Sequence, residues 1–268
     1  RGLGDVYKRQ FLKRVLELTY AQKKRLDPEA LLSNQLIKAS EESLLQKSYS
    51  FDTSGFCLLR SDTRTVVLKF GGEGIGHGHP DKLSITIHDG KNELVSDFGT
   101  SGYGVPDYLK WYKRTLSHNT VTVDAKDQKR SVGKLLKFNP RSDGGYAEAE
   151  TTTAYPGVRM KRSLDLKGTH LQDVYTCTSD SSHLYEYVIL FNEKPLMDGQ
   201  PTATTLTGSE VHERIHNIFS YPHKSGFTCR TSSASVQFDI PEGEVMEVVL
   251  GEASGIPANP TVKDGPGA

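Results

Sequence analysis

From Ser48 onward, apolar and polar residues alternate in short runs that turn residues separate. Examples are FCLLR at 56–60, TVVLKF at 65–70, SITIHD at 84–89 and VRMKRSLDLK at 158–167. A period of two indicates strands with one buried face. Strands that recur about every ten residues are typical of an antiparallel sandwich rather than a βαβ fold. We therefore predict a mainly β fold, with an antiparallel β-sandwich over residues 48–268.

Residues 11–47 carry a helical pattern instead. Phe11, Val15 and Leu18 fall on one helix face, and Asp27 followed by Pro28 is typical of a helix start. These helices are too few to close a core, so we expect the remnant of a larger helical domain. Residues 1–10, RGLGDVYKRQ, lack a methionine and are interpreted as a non-native scar. The sequence is expected to be a fragment of a longer protein.

Composition excludes some classes of function. The 33 basic and 33 acidic residues cancel, so the chain has no bulk attraction for nucleic acid or an anionic membrane. No apolar run approaches the roughly eighteen residues that a membrane helix needs. The three cysteines are widely spaced and odd in number, which favours free thiols over a disulfide framework or a zinc ribbon.

The stretch GGEGIGHGHPDKLSITIHDG at 71–90 places two histidines in a glycine-rich loop before a strand. Further candidate ligands are Asp81, Asp97 in LVSDFG and His118 in LSHNT, each at a strand edge. Two imidazoles and a carboxylate form a common zinc set. His79, Asp97 and His118 would supply it, and His77 would stay free to face a cleft.

A second metal interpretation stays open. His79-Pro80-Asp81 is an H-x-D sequence, and His118 would complete a two-histidine, one-carboxylate triad for Fe(II). Arg130 would then hold an oxoacid co-substrate in a jelly-roll dioxygenase. Any single histidine is more often a surface or satisfied core residue, and we interpret His212 and His216 as surface residues.

Three motifs in order, GHGHPDKLSI, SDFGTSGYG and WYKRTLSHNTVTVDAKDQ, resemble the heparinase II/III-type polysaccharide lyases, which include oligoalginate lyases. The resemblance covers residues 50–130 most strongly. It implies an N-terminal α/α toroid, mostly missing here, packed on a C-terminal antiparallel β-sandwich. It also implies β-elimination in an anionic, uronate-containing poly- or oligosaccharide, with alginate the first candidate and a heparin or heparan-type glycosaminoglycan the second. A periplasmic or secreted location would suit such an enzyme.

The resemblance also implies roles for single residues. His77 matches a catalytic-site histidine, and His79, Asp97 and His118 match the ligands of a zinc ion, interpreted as mainly structural because elimination needs no metal hydroxide. Tyr103 falls where such enzymes carry a cleft tyrosine. The family's principal tyrosine acid/base belongs to the toroid and has no counterpart in residues 1–50, so the fragment is expected to be incomplete.

Other residues near these motifs allow two interpretations each. Trp111 and Tyr112 would stack on a sugar ring or belong to the core, and Arg114 would bind a substrate carboxylate or pair with an acid. Arg159, Lys161 and Arg162 lie on one strand, where a solvated face is the default interpretation and contact with a polyanion the second. A non-catalytic, carbohydrate-binding or supporting sandwich is the remaining alternative to a lyase.

Overall fold

The computed structural model describes residues 47–72, 78–90, 92–100, 107–222, 226–241, 246–253 and 255. The chain divides into two compact units, residues 1–46 and 47–268, and all of the described residues belong to the second unit. The predicted scar at 1–10 and nearly all of the predicted helical remnant at 11–47 lie outside the described residues. Their assignment therefore stays a prediction.

The described part of the chain is built from short strands in sequence order. They are β1 (Tyr49–Phe51), β2 (Phe56–Arg60), β3 (Arg64–Lys69), β4 (Ser84–Asp89), β5 (Asn92–Val95), β6 (Val121–Val123), β7 (Lys134–Arg141), β8 (Gly144–Tyr155), β9 (Val158–Lys167), β10 (His170–Ser179), β11 (Tyr185–Tyr187), β12 (Leu196–Met197), β13 (Thr202–Ala203), β14 (Ile215–Pro222), β15 (Gly226–Arg230), β16 (Ser235–Asp239) and β17 (Glu247–Ala253). A π-helical turn (Tyr108–Tyr112) and two 3-10 helices (Thr115–Ser117 and Glu210–Arg214) complete the elements.

Two antiparallel sheets dominate this unit. One has the order β1-β2-β3-β4-β5 and the other β10-β9-β8-β7. Three smaller sheets have the orders β11-β6, β12-β15-β16 and β13-β14-β17. The prediction of a mainly β, antiparallel fold is confirmed.

The main core lies where the apolar faces of the two large sheets meet. Leu59, Val66 and Leu68 from the first sheet and Met160 and Leu164 from the second are fully buried in one cluster. Burying an aliphatic side chain of this size contributes about 1.5–3 kcal/mol. The apolar residues at every second position of these strands are therefore the ones that pack between the two sheets.

Some strands lacked a clear sequence signal. β7 contains Pro140, which has no backbone N–H, and it lies at the edge of its sheet, where that donor is not needed. β14 is interrupted by a bulge between His216 and Phe219, which breaks the period of two. Irregular strands of this kind escape a search for strict alternation.

A second cluster of buried side chains forms around the π-helical turn. Trp111, Tyr112, Leu116 and Val211 pack together, and Phe98 lies against Trp111. This cluster fixes the segment that leads directly into His118. Among the described residues, no helix is long and apolar enough to cross a membrane, and the three cysteines are free.

Gly55 and Gly71 meet where the chain leaves β3 for the histidine-rich loop. Gly55 has a φ of 71°, and its carbonyl accepts hydrogen bonds from Phe70 N at 2.8 Å and Gly71 N at 2.9 Å. A Cβ on Gly55 would lie well inside van der Waals contact with the Gly71 backbone. Position 55 therefore requires glycine for two reasons: a Cβ would not fit there, and the backbone is left-handed.

Gly55→Ala should lower the free energy of unfolding more than Gly157→Ala does. Gly157 has a similar φ of 75° but open space at its Cβ position, so alanine there costs only the left-handed conformation, about 1–2 kcal/mol. Gly55→Ala adds an overpacking cost of about 1–3 kcal/mol. Urea unfolding of both variants measures the difference, and equal losses would contradict the steric account.

Candidate metal centre

Two buried imidazoles face each other at the end of the sandwich. His79 lies in the loop between β3 and β4, and His118 follows the 3-10 helix at Thr115–Ser117. His79 Nδ1 and His118 Nε2 are 3.3 Å apart, and the residues are 9% and 1% exposed. Two ring nitrogens bound to one tetrahedral zinc ion at about 2.0–2.1 Å would be roughly 3.3 Å apart. The spacing of this pair therefore fits a shared cation.

Asp97 lies on the other nitrogen of His118. Its Oδ2 is 2.8 Å from His118 Nδ1, and its Oδ1 accepts a hydrogen bond from Gly99 N at 2.7 Å. We assign the ring proton to Nδ1, since a carboxylate must accept, which leaves the Nε2 lone pair facing His79. In this arrangement Asp97 orients His118 and lies outside the space between the two imidazoles, where the sequence had predicted a third ligand.

Asp81 lies nearer that space. His79, Asp81 and His118 each offer a ligand atom within 4.8 Å of the others, and all three are buried, so this group could hold a metal ion. Both carboxylate oxygens of Asp81 are already paired, however. Lys69 Nζ contacts Oδ2, and Lys82 Nζ, fully buried, lies 3.0 Å from Oδ1.

The loop that carries His79 is held from several directions. Thr115 Oγ1 donates to Pro80 O at 2.8 Å, and Lys82 Nζ donates to His79 O at 3.2 Å. Lys82 N donates to Gln128 Oε1 at 2.7 Å, and Thr120 Oγ1 donates to Lys82 O at 2.7 Å. Backbone groups removed from water need such partners, and here those partners also fix where His79 and Asp81 point.

Asn119 ties this loop region to the first sheet. Its Nδ2 donates to Ile85 O at 2.9 Å and to Ser96 O at 2.6 Å. Its Oδ1 accepts from Leu190 N at 2.7 Å. The residue is 0% exposed and joins β4, the segment before Asp97 and the chain after β11. The side chain beside His118 therefore sets the position of the strand ends that surround it.

Burial and charge shift the pKa values of these groups. Burial, followed by the charge on His118, lowers the pKa of His79 from 6.5 to about 4. Burial alone would raise the pKa of Asp97, but the hydrogen bond and charge of His118 outweigh it and hold that pKa below its usual range. His79 is therefore neutral and Asp97 ionised near neutral pH, which are the protonation states that a cation requires.

The predicted site residues have different outcomes. His79 and His118 lie together, and Asp97 is hydrogen-bonded to His118; zinc ligation by these three residues stays a prediction. His77 and Tyr103 lie outside the described residues, so their catalytic roles stay predictions.

The three predicted sugar contacts take part in the fold. Trp111 and Tyr112 are 3% and 5% exposed, and Tyr112 Oη donates to Gly255 O at 3.1 Å. Arg114 Nε lies 2.6 Å from Asp127 Oδ2, and its Nη1 lies 2.8 Å from Glu210 Oε1. These contacts match the core and ion-pair alternatives, and substrate contact by the three residues stays a prediction.

Sequence reasoning missed the buried cations and one buried histidine. Lys82 was visible inside HPDKL, but its burial was not, because lysine is rarely buried unless it is paired. His212, interpreted as a surface residue, is 3% exposed and lies between Glu186 Oε1 at 2.8 Å and Thr207 O at 2.9 Å. That interpretation was wrong, because His212 is buried against Glu186 of β11, a contact that the local sequence does not reveal.

Comparison with known proteins gives a consistent result. A family model described as Heparinase II/III-like, C-terminal, matches residues 44–240. An alginate lyase of Stenotrophomonas maltophilia (strain K279a) is 28% identical over 226 residues, which cover 71% of this chain and 30% of that protein. A heparin-sulfate lyase of Bacteroides stercoris is 31% identical over 128 residues, covering 44% and 19%. The chain thus spans less than a third of the length of these relatives.

Solved structures show the same fold. A heparan sulfate lyase from Pedobacter heparinus superposes with a TM-score of 0.54 at 16% identity, covering 81% of this chain and 34% of that one. His79, Asp81 and His118 are the residues of the Fe(II) alternative, but the relatives are named as lyases and do not favour a dioxygenase.

The pKa of His79 predicts acid sensitivity in the metal-free protein. A histidine whose pKa falls on folding binds protons more weakly in the folded than in the unfolded chain. Its contribution is therefore fully present above pH 6.5 and is lost as the pH falls toward about 4. Urea unfolding of the chelator-treated chain should show that, as the pH falls from 6.5 to about 4, the free energy of unfolding decreases more steeply for wild type than for His79→Gln.

The exposed His170 on β10 provides the matched control, because His170→Gln should keep the wild-type slope. Equal slopes for wild type and His79→Gln would contradict the shifted pKa of His79.

Proposed function

Because the chain belongs to the heparinase II/III-like, C-terminal family, we propose that it is the sandwich part of a polysaccharide lyase that cleaves uronate-containing chains by β-elimination. The observation that carries the proposal is the match over residues 44–240, which includes the buried His79–His118 pair. Alginate is the first substrate candidate, because two relatives are named alginate lyase and exo-oligoalginate lyase. A heparin or heparan-type glycosaminoglycan is the second.

The reaction sets clear demands on the site. The C5 proton of a uronate is a weak acid, because removing it adds negative charge beside a carboxylate. The site must neutralise that carboxylate and stabilise the developing charge, and a tyrosine or histidine must move the proton. In our proposal His77 donates a hydrogen bond to the uronate, and Tyr103 has an auxiliary role in proton transfer to the leaving oxygen.

The proposed cofactor is Zn²⁺, held by His79 and His118 and dependent on the carboxylate of Asp97. Bound zinc would supply a fixed positive centre that holds the glycine-rich loop, and so His77, in place. We favour Asp97 over Asp81 as the carboxylate on which zinc binding depends, because of the charges that surround Asp81. Both oxygens of Asp81 are on lysine ammonium groups, which a second cation would have to approach. Among the described residues, the ion pair of Asp97 is with His118 alone.

The whole enzyme is proposed to contain more than this chain. Curated relatives are more than three times longer than the aligned part, and we propose that an α/α toroid supplies the principal tyrosine acid/base. A polymeric, anionic substrate is too large to enter a cell readily, so we place the enzyme in the periplasm or outside the cell.

The lyase assay uses the chain joined to its upstream toroid. Wild type should produce an unsaturated uronate that absorbs in the near ultraviolet from alginate, without added co-substrate. His77→Ala should lower kcat by about 10²–10³-fold, the usual cost of one lost donor to developing charge. His88→Ala, at a half-exposed strand position, should keep wild-type kcat. Oligosaccharide binding without the absorbing product would instead identify a non-catalytic binding module.

The carboxylate assignment is tested by metal analysis of purified variants. Asp97→Asn should lower zinc affinity by about 10–100-fold, the usual loss when a partner of a ligating histidine is removed. Asp81→Asn should lower stability by about 3–5 kcal/mol, because it leaves the buried Lys82 charge unpaired, but its folded fraction should retain zinc. Asp89→Asn in β4 is the control.

The opposite pattern would overturn this assignment. If folded Asp81→Asn loses zinc and Asp97→Asn keeps it, Asp81 is the required carboxylate.

A further inference from the structure

Arg162 is a fully buried charge in the middle of β9. The strand alternates, with Met160 and Leu164 facing the core, and Arg162 occupies the same face at 0% exposure. The sequence placed it on a possible solvated face with Arg159 and Lys161. That default was wrong for Arg162, because its position two residues from Met160 points it inward.

All five N–H donors of its guanidinium have acceptors. Nε and Nη2 bind the two carboxylate oxygens of Asp173, and Nη2 also donates to Tyr187 Oη at 3.0 Å. Nη1 donates to Leu83 O at 2.7 Å and to Asn119 O at 2.6 Å. An arginine fork has five donors in one plane, so the side chain is fully satisfied only in this geometry.

The two carbonyls on Nη1 belong to the two segments that carry the imidazoles. Leu83 ends the loop of His79 and has a left-handed φ of 63°, and Asn119 follows His118. One planar nitrogen therefore links chain segments that are distant in sequence. Rotation or displacement of either segment would break one of these bonds.

Stability alone does not account for this arrangement. Replacing a buried ion pair by well-packed apolar residues is often neutral or stabilising, whereas removing one partner is costly. The Arg162–Asp173 pair is therefore not needed simply to fill the core. What the pair does provide is a fixed distance between Leu83 O and Asn119 O, which both accept from Arg162 Nη1.

We propose that Arg162 is a positioning residue that sets the separation of His79 and His118 by bridging the carbonyls of Leu83 and Asn119. Asp173 holds the guanidinium in the plane that this bridge requires. The proposal rests on the metal centre proposed above and extends it to a residue on the opposite sheet.

The test compares two substitutions in the chain joined to its toroid. Arg162→Lys keeps the charge beside Asp173 but loses the planar fork. The double variant Arg162→Met, Asp173→Leu replaces the ion pair with apolar residues, so the proposal stays falsifiable if Arg162→Lys unfolds. Arg159→Lys, on the exposed face of the same strand and paired with Glu150, is the matched control.

The first readout is metal binding, measured by chelator competition with Zn²⁺ and by the visible spectrum of bound Co²⁺. Both folded variants should bind about 10–100-fold more weakly than wild type and should show a shifted Co²⁺ spectrum, whereas Arg159→Lys should match wild type. Wild-type affinity and spectrum in a folded Arg162 variant would overturn the proposal.

The second readout is amide hydrogen exchange of the metal-free protein. Exchange in residues 79–85 and 116–121 should accelerate in the folded double variant, with the strands of the second sheet unchanged. If wild type binds no metal, the proposed metal centre fails, but this readout still decides the role of Arg162. Unchanged exchange in both segments would refute it.

Discussion

The structure depends on a short run of polar residues that the fold buries completely. Ser117, His118, Asn119 and Thr120 are all at or near 0% exposure, although none is apolar. A buried polar group without a partner costs about 1–3 kcal/mol, so each needs a partner. Ser117 donates to carbonyls close by in sequence. The partners of His118, Asn119 and Thr120 come from the His79 loop, β4, the segment before Asp97 and the chain after β11. The need to satisfy this run is what assembles the candidate metal centre.

Two buried ion pairs reinforce that assembly from opposite sides. Lys82 with Asp81 fixes the loop that carries His79, and Arg162 with Asp173 fixes the backbone on both sides of the centre. Buried charges of this kind are a poor source of net stability. Here they constrain orientation, because each cation also donates to a backbone carbonyl next to a candidate ligand. The positions of His79 and His118 are therefore constrained by groups other than the two imidazoles.

Much of the fold was accessible from the sequence. Alternation in SITIHD and VRMKRSLDLK reflects the packing of one sheet face, so the sandwich could be predicted. The bulged β14 and the edge strand β7 with Pro140 could not, because their pairing depends on partners far along the chain. The histidine pair was predictable from its motifs. The place of Asp97 behind His118, the burial of Lys82 and the inward position of Arg162 depend on tertiary contacts that no local pattern encodes.

The central claim is that the facing nitrogens of His79 and His118 share one zinc ion. A crystal of the protein grown with Zn²⁺ and measured on both sides of the zinc absorption edge tests it directly. The account predicts one anomalous peak within bonding distance of His79 Nδ1 and His118 Nε2. An anomalous map with no peak between these two rings, in a crystal where both rings are ordered, would contradict it.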